Sequence, residues 1–316
     1  MRKLVEVIKI FYAFWNDFIQ YLKSKTSLYR LDNYKKSILL LGHSLEKGMS
    51  FPSKNVNWGE KKTFELLRFM RQYFMETDDK ELKKWCLSIL ENYKNDPFAS
   101  KSEKLLNEIA SIESSDDDSN DVVTGVKKIV KPNISHRMEI EKFFVSRNSV
   151  RSFSSQEVTD QELLSAVEFA KVTPTACNRQ SCSVYAYKDK KTIEKILKNQ
   201  LGDQGWCKNA SALFLVVSNC SFYSGVYERH QSYVDGGMYA MNLVYGLHLN
   251  GIASCFKMYV SSPSVDKEFV SLTGIKGNEV PVVLVLCGHY LETACYSPVS
   301  HRFSPAFHVD GNEPSL

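Results

Sequence analysis

The chain has 316 residues, of which 43% are hydrophobic and 24% are charged. This composition excludes the disordered and collagen-like classes and allows a large buried core, and the length suits two ordinary domains. A formal net charge of +4 is far from the dense positive field that binding to a phosphate backbone requires, so we expect no nucleic-acid partner.

Residues 1–25 predict an amphipathic helix, because apolar side chains recur at alternating steps of four and three. The longest uncharged stretch, Ile10 to Asn16, is far shorter than the roughly 20 apolar residues that cross a bilayer. We expect this helix to pack on the rest of the protein. The alternative is a peripheral, in-plane contact with a membrane, helped by basic side chains. The apolar stripe is Leu4, Ile8, Phe11, Trp15, Phe18 and Leu22, and the basic residues are Arg2, Lys3, Lys9, Lys23 and Lys25.

Three parts follow one another along the chain. Residues 1–112 form a helical N-terminal region, since apolar residues recur with helical period and β-branched alternation is almost absent. The acidic run ESSDDDSND begins a linker over residues 113–134, with a solvated loop inside one domain as the alternative. Residues 135–316 form the second domain.

The second domain mixes helices and strands. Thr159 and Glu162 form a capping box that predicts a helix. Strands are expected at residues 183–187, 212–218 and 280–287, and a long helix at about 237–250, which Gly251 ends as a left-handed cap. The fold class is therefore α+β, with a central sheet flanked by helices and an all-helical region before it.

Eight cysteines occur without a CxxC pair, several of them within apolar runs. This usage is typical of reduced core thiols in a cytoplasmic protein rather than of a disulfide framework or a zinc site. We therefore expect no bound metal.

The most informative motif is Arg147, Ser149 and Arg151. Alternate residues of an extended segment point the same way, so two guanidinium groups and a hydroxyl would share one face. Guanidinium groups bind phosphate oxygens in pairs, and the pattern therefore favours a phosphate site. The alternative is a solvated basic strand.

Two further places carry polar groups suited to a cofactor. The loop from Pro174 through Thr175 to Asn178 and Gln180 presents two carboxamides, which can both donate to and accept from a flavin ring or ribityl chain. Cys177 in this loop has two interpretations, a redox thiol and, preferred, a small loop residue. Near the C-terminus, Gly288 follows a buried strand and Arg302 offers another cation.

In this order and spacing, these places resemble the nitroreductase family of flavoproteins. Arg147, Ser149 and Arg151 match its opening motif, and Pro174, Thr175, Asn178 and Gln180 match its Pro-Ser-x-x-Asn-x-Gln-Pro-Trp loop. Ser181 and Cys182 stand where that loop usually has Pro and Trp, which changes the expected substrate pocket more than the flavin site. Asp235, Gly236 and Gly237 resemble the start of the family's central helix, and GIASCF (251–256) resembles its Gly-Leu-Gly-Ser-Cys-Trp turn.

The resemblance implies a mixed central β-sheet. It also implies FMN, with NAD(P)H as a transient reductant and an electron-poor small molecule as acceptor. It implies that the backbone at Lys257 and Met258 faces flavin N5, that Arg302 contributes to phosphate binding, and that two subunits form a homodimer around the cofactor. It assigns no catalytic side chain, since the flavin supplies the chemistry.

Two alternatives stay open. The first is a specialised flavin-dependent tailoring enzyme of surface-polysaccharide biosynthesis, since HSLEKG (43–48) is similar to an extension on some nitroreductase-like proteins of such gene clusters. The second is a flavin-binding accessory protein whose helical half docks on a membrane assembly. The plain interpretation of HSLEKG is a helix end capped by Gly48.

Overall fold

The structure is a computed structural model that describes residues 2–113, 124–131, 133–198, 200, 209–260, 263–293, 295–298 and 300–302. Most of the acidic run therefore lies outside the described residues, and the division at residues 113–134 stays a prediction.

The first described part of the chain is helical, as predicted. The helices are α1 (Arg2–Lys23), α2 (Arg30–Ser50), α3 (Glu60–Phe74), α4 (Lys80–Asn95) and α5 (Glu103–Glu113). Helices α2 to α5 surround one core that includes Ile38, Leu66, Met70 and Ile89. Asp79 caps α4 by accepting a hydrogen bond from the Leu82 amide at 3.1 Å.

The second part is α+β, which confirms the predicted class. The strands of the described residues are β1 (Cys182–Tyr187), β2 (Ala212–Asn219), β3 (Ile252–Met258) and β4 (Glu279–His289). They form a sheet in the order β1-β2-β4-β3, and every neighbouring pair is antiparallel where the resemblance implies a mixed sheet. A parallel pairing occurs as an isolated bridge between Ser149 and Ser254 at the outer edge of β3. The helices are α6 (Arg137–Ser146), α7 (Asp160–Ala170), α8 (Lys190–Lys198), α9 (Gln231–Leu249) and α10 (Pro263–Thr273).

The sheet is buried on both faces because alternate residues of β2 enter two different cores. Phe214 and Val216 pack with α7 and α9, whereas Leu213 and Leu215 pack on the side of α8 and α10. The predicted capping box is present, since Thr159 accepts from the Glu162 amide and the Glu162 carboxylate accepts from the Thr159 amide.

Two sequence expectations need correction here. The segment GIASCF does not form the expected turn, because its residues from Ile252 onward lie in strand β3. Its first residue, Gly251, has the predicted left-handed conformation with φ of 69°. Helix α9 begins at Gln231, six residues before the expected start. Gly236 lies inside this helix and packs against Val282. A glycine is needed there because a Cβ would come within 2.5 Å of the valine side chain.

The apolar stripe of α1 does not pack on the rest of the chain, contrary to expectation. Leu4, Phe11 and Trp15 are 64%, 68% and 48% exposed. The end of α1 is attached through Gln20 to the Gly277 carbonyl at 3.1 Å and through Tyr21 to the Gly225 carbonyl at 2.7 Å. None of the described helices combines the length and apolar character needed to cross a membrane.

Candidate functional site

The first predicted motif lies beside the outer edge of β3. The Val150 amide donates to the Ser254 carbonyl at 3.0 Å, and this bond fixes the segment against the sheet. Val150 is buried, whereas Arg151 is exposed and Ser149 is partly exposed. We call this place, formed by Arg147, Ser149 and Arg151, the arginine corner.

The arginine corner acts electrostatically on the Cys255 thiol of β3. Burial raises the pKa of this thiol, while the charges of Arg151, Arg147 and Lys257 and a hydrogen bond from Ser149 act in the opposite direction. An anion at this corner would therefore meet several donors and positive charges.

Strand β3 leads from the arginine corner to the two residues expected beside flavin N5. The Lys257 side chain is buried and Met258 is 68% exposed. The Ser254 carbonyl points outward to Val150, and strand groups repeat their direction every second residue. The amide and carbonyl of Met258 therefore point toward the same outer edge as those of Ser254.

Of the two candidate residues near the C-terminus, Gly288 is buried and Arg302 is exposed. A Cβ at Gly288 would lie 2.7 Å from the Cβ of Phe153, so packing alone requires a glycine. The segment before Arg302 crosses the motif, since the Ser297 hydroxyl donates to the Ser149 carbonyl at 3.4 Å.

The predicted amide loop precedes β1 and has an unusual backbone. Cys177, Asn178 and Gln180 have φ values of 54°, 52° and 50°, a left-handed backbone conformation that residues other than glycine rarely adopt. The Thr175 hydroxyl accepts from the Gln180 amide at 2.9 Å and helps to hold this shape. Such backbone strain is concentrated in binding and catalytic sites.

A buried polar network that sequence analysis did not identify fixes this loop. The Asp235 carboxylate in α9 accepts from the Ala176 amide at 3.1 Å and from the Tyr223 hydroxyl at 3.0 Å. The Ser218 and Tyr223 hydroxyls are 3.1 Å apart. Burial raises the pKa of Tyr223, so this phenol stays protonated and can donate to Asp235.

Arg179 makes the second connection. Its side chain is 1% exposed, forms a two-point pair with the Glu228 carboxylate at 3.0 and 2.8 Å, and donates to the Ala176 carbonyl at 2.9 Å. Burial acts to raise the pKa of Glu228, but hydrogen bonds from Arg179 and Ser224 outweigh it and lower that pKa. The pairing joins residues 49 positions apart, and no local pattern in the sequence indicates it.

The arginine corner and the amide loop lie far apart within one chain. The amide loop is attached to Asp235, near the start of α9. Ser146, the residue before Arg147, contacts His248 near the end of α9, with 2.8 Å between Ser146 Oγ and His248 Nε2. Thirteen residues separate Asp235 from His248, about 20 Å of helix at about 1.5 Å per residue. Strand order also places the loop beside β1 and the corner beside β3, at opposite sheet edges.

The helical region contacts the loop half of the candidate site. Helix α2 packs directly against the short turns at Ala176–Asn178 and Cys220–Phe222. The Lys25 ammonium donates to the Tyr223 carbonyl at 2.8 Å and to the Cys220 carbonyl. Burial lowers the pKa of Lys25 to about 8.

Comparison with known proteins agrees with the motif-based expectation. Residues 145–204 match the model of the nitroreductase family, and this segment contains both the arginine corner and the amide loop. The match confirms the predicted resemblance for this part of the chain. No curated protein matches the chain.

Solved structures are also similar to this chain. An FMN-dependent nitroreductase from Clostridium difficile R20291 is 16% identical, with 52% of this chain and 99% of that chain covered and a TM-score of 0.43. A nitroreductase family protein from Clostridium novyi NT is 15% identical, with coverage of 48% and 86% and a TM-score of 0.44.

Proposed function

From the match of residues 145–204 to the nitroreductase family, we propose that this protein is an FMN-dependent oxidoreductase. The observation that carries the proposal is the position of the arginine corner, which the hydrogen bond from the Val150 amide to the Ser254 carbonyl holds against the edge of β3. When bound between these residues, FMN would supply the redox chemistry, with NADH or NADPH as the reductant and an electron-poor small molecule as the acceptor.

The described residues fit this cofactor. Arg147 and Arg151 would bind its phosphate through charge-assisted hydrogen bonds, with the Ser149 hydroxyl as a further donor. The Met258 backbone at the outer edge of β3 would then lie along the ring, because β3 runs from the corner toward that residue. No side chain needs to act as an acid or base, so the chain's task is to bind, orient and expose the flavin.

We propose that the functional form is a homodimer. The amide loop cannot reach the arginine corner of its own chain across about 20 Å, whereas a second copy related by a two-fold axis can bring its loop there. Exposed apolar residues support such an interface. They lie on α6 and α9 and include Phe144, Val145, Tyr233, Val234, Met238 and Leu249.

We also propose a peripheral membrane contact for residues 1–25. The stripe of α1 is exposed, and Lys9 and Lys23 on the same helix are exposed cations that can approach anionic lipid. Binding to vesicles with and without anionic lipid tests this contact.

The cofactor proposal is tested on the purified full chain. We expect released FMN rather than FAD, and consumption of NADH or NADPH with a nitroaromatic acceptor. Arg151→Ala should weaken FMN binding by about 1.5 to 3 kcal/mol, the contribution of a hydrogen bond to a charged group. Arg137→Ala, an exposed arginine on α6 paired with Glu141, is the matched control. Failure to bind FMN after its addition would reject the proposal.

The homodimer is tested by mixing two inactive variants. Arg147→Ala/Arg151→Ala damages the corner, and Asn178→Ala/Gln180→Ala damages the loop. If each site combines a corner and a loop from different copies, random remixing should restore about a quarter of the flavin sites. No recovery after refolding the two variants together, or sedimentation of the flavin-loaded protein as a monomer, would contradict the proposal.

A further inference from the structure

A second cleft lies in the helical region, away from the candidate flavin site. It has a volume of about 520 Å³, a size typical of small-molecule sites. It is lined by residues of α2, of the connection to α3 and of the first turn of α3, including Ser44, Lys47, Ser53, Lys54, Trp58 and Lys62. We call it the lysine cleft.

The lysine cleft accounts for the HSLEKG segment of α2. Leu45 is fully buried in the helical core, whereas Ser44, Lys47 and Gly48, which are three and four residues apart, line the cleft. Gly48 is required because the Trp58 ring lies against its backbone and a Cβ there would collide with that ring.

One wall of the cleft is held rigidly. Asp96 accepts from Lys54 Nζ at 2.5 Å and from Trp58 Nε1 at 3.2 Å. The Tyr93 hydroxyl donates to the Trp58 carbonyl at 2.5 Å. These bonds neutralise the charge of Lys54 and fix the position of Trp58, so the cleft has a preformed aromatic surface.

The remaining lysines make the cleft positive. Lys62 Nζ donates to the neutral Ser44 hydroxyl at 2.8 Å, a contact that leaves its charge unbalanced. Lys62 also lies in the first turn of α3, where the helix dipole disfavours a cation and favours an anion. Lys47 adds a second ammonium group, and none of the described lining residues is acidic.

We propose that the lysine cleft binds a soluble small molecule carrying a phosphate group. Lys47 and Lys62 would contact the phosphate as point charges, and the Ser44 and Ser53 hydroxyls would add hydrogen bonds. The cleft is larger than a phosphate, and the fixed Trp58 ring offers a surface for the organic part of the ligand.

Calorimetric titration of the full-length, FMN-saturated protein with inorganic phosphate and pyrophosphate tests this proposal. We expect saturable binding of pyrophosphate that weakens with added salt. Lys47→Ala/Lys62→Ala should reduce its affinity about tenfold or more. Lys61→Ala/Lys80→Ala removes the same charge from exposed positions outside the cleft and should bind as the natural sequence does.

Three results would overturn the proposal. The first is the absence of saturable binding to either anion, and the second is equal affinity of the two double variants for pyrophosphate. The third comes from a parallel titration with phosphatidylglycerol vesicles, and it is a loss of affinity in Lys47→Ala/Lys62→Ala for the vesicles alone. The flavin spectrum, recorded on the same samples, reports separately on the cofactor site.

Discussion

The helical and α+β regions use their packing differently. Helices α2 to α5 of the first region surround a single core, whereas the sheet of the second is covered on both faces and carries the arginine corner and the amide loop at opposite edges. Phe222 of the α+β region enters the helical core. The helical region thus touches the loop half of the candidate site, so changes in it should affect that half most directly.

The largest effect is expected from Phe222→Ala, which removes a buried apolar contact between the two regions. Phe222 is 6% exposed, and truncating a buried phenylalanine costs about 3 to 5 kcal/mol of unfolding free energy. Denaturant titration measures this loss, with Phe14→Ala, at a 70% exposed position, as control. Two separate unfolding transitions in the natural sequence, with only one shifted by Phe222→Ala, would show that the regions fold independently.

Arg179→Ala should destabilise the protein by about 3 kcal/mol, because it leaves the partly buried Glu228 without its partner. The amide loop should lose its shape, so flavin retention should fall as well. Arg229→Ala changes the neighbouring exposed arginine and serves as control. If Arg179→Ala is destabilised but retains its flavin, the shape of the amide loop is not required for cofactor binding.

A smaller, pH-dependent effect is expected at Lys25. Burial lowers its folded pKa to about 8 from 10.5, so between these pH values the unfolded chain binds a proton that the folded chain has lost. The stability contribution of Lys25 therefore rises with pH across this window, and its burial penalty is fully present below it. The Tm of the natural protein minus the Tm of Lys25→Met should therefore increase as pH rises through this window. A constant difference would contradict the lowered pKa.

The smallest effect on the cofactor is expected from deleting residues 2–18. This segment contains most of the exposed stripe but none of the contacts made by Gln20, Tyr21 or Lys25. Flavin content should stay unchanged, and binding to anionic vesicles should fall. Loss of flavin would instead place α1 at the cofactor site, for example across a dimer interface.

Much of the local structure could be predicted from the sequence because its causes lie within a few residues. Thr159 and Glu162 form a capping box three residues apart, and β2 and β4 are apolar on both faces. Strand β3 was missed because Gly251 and a short apolar run are equally compatible with a turn. The start of α9 was misplaced because Gly236 and Gly237 resemble a helix boundary, although Gly236 serves close packing against Val282.

The sequence by itself determined the α+β class, the family resemblance and the residue types of both motifs, since spacing along an element decides which side chains share a face. Only the tertiary structure decided that Lys257 is buried near the arginines and that Arg179 pairs with Glu228. It also placed the two motifs at opposite ends of α9. These arrangements join residues distant in sequence, and they depend on strand order and helix packing, which short-range patterns do not specify.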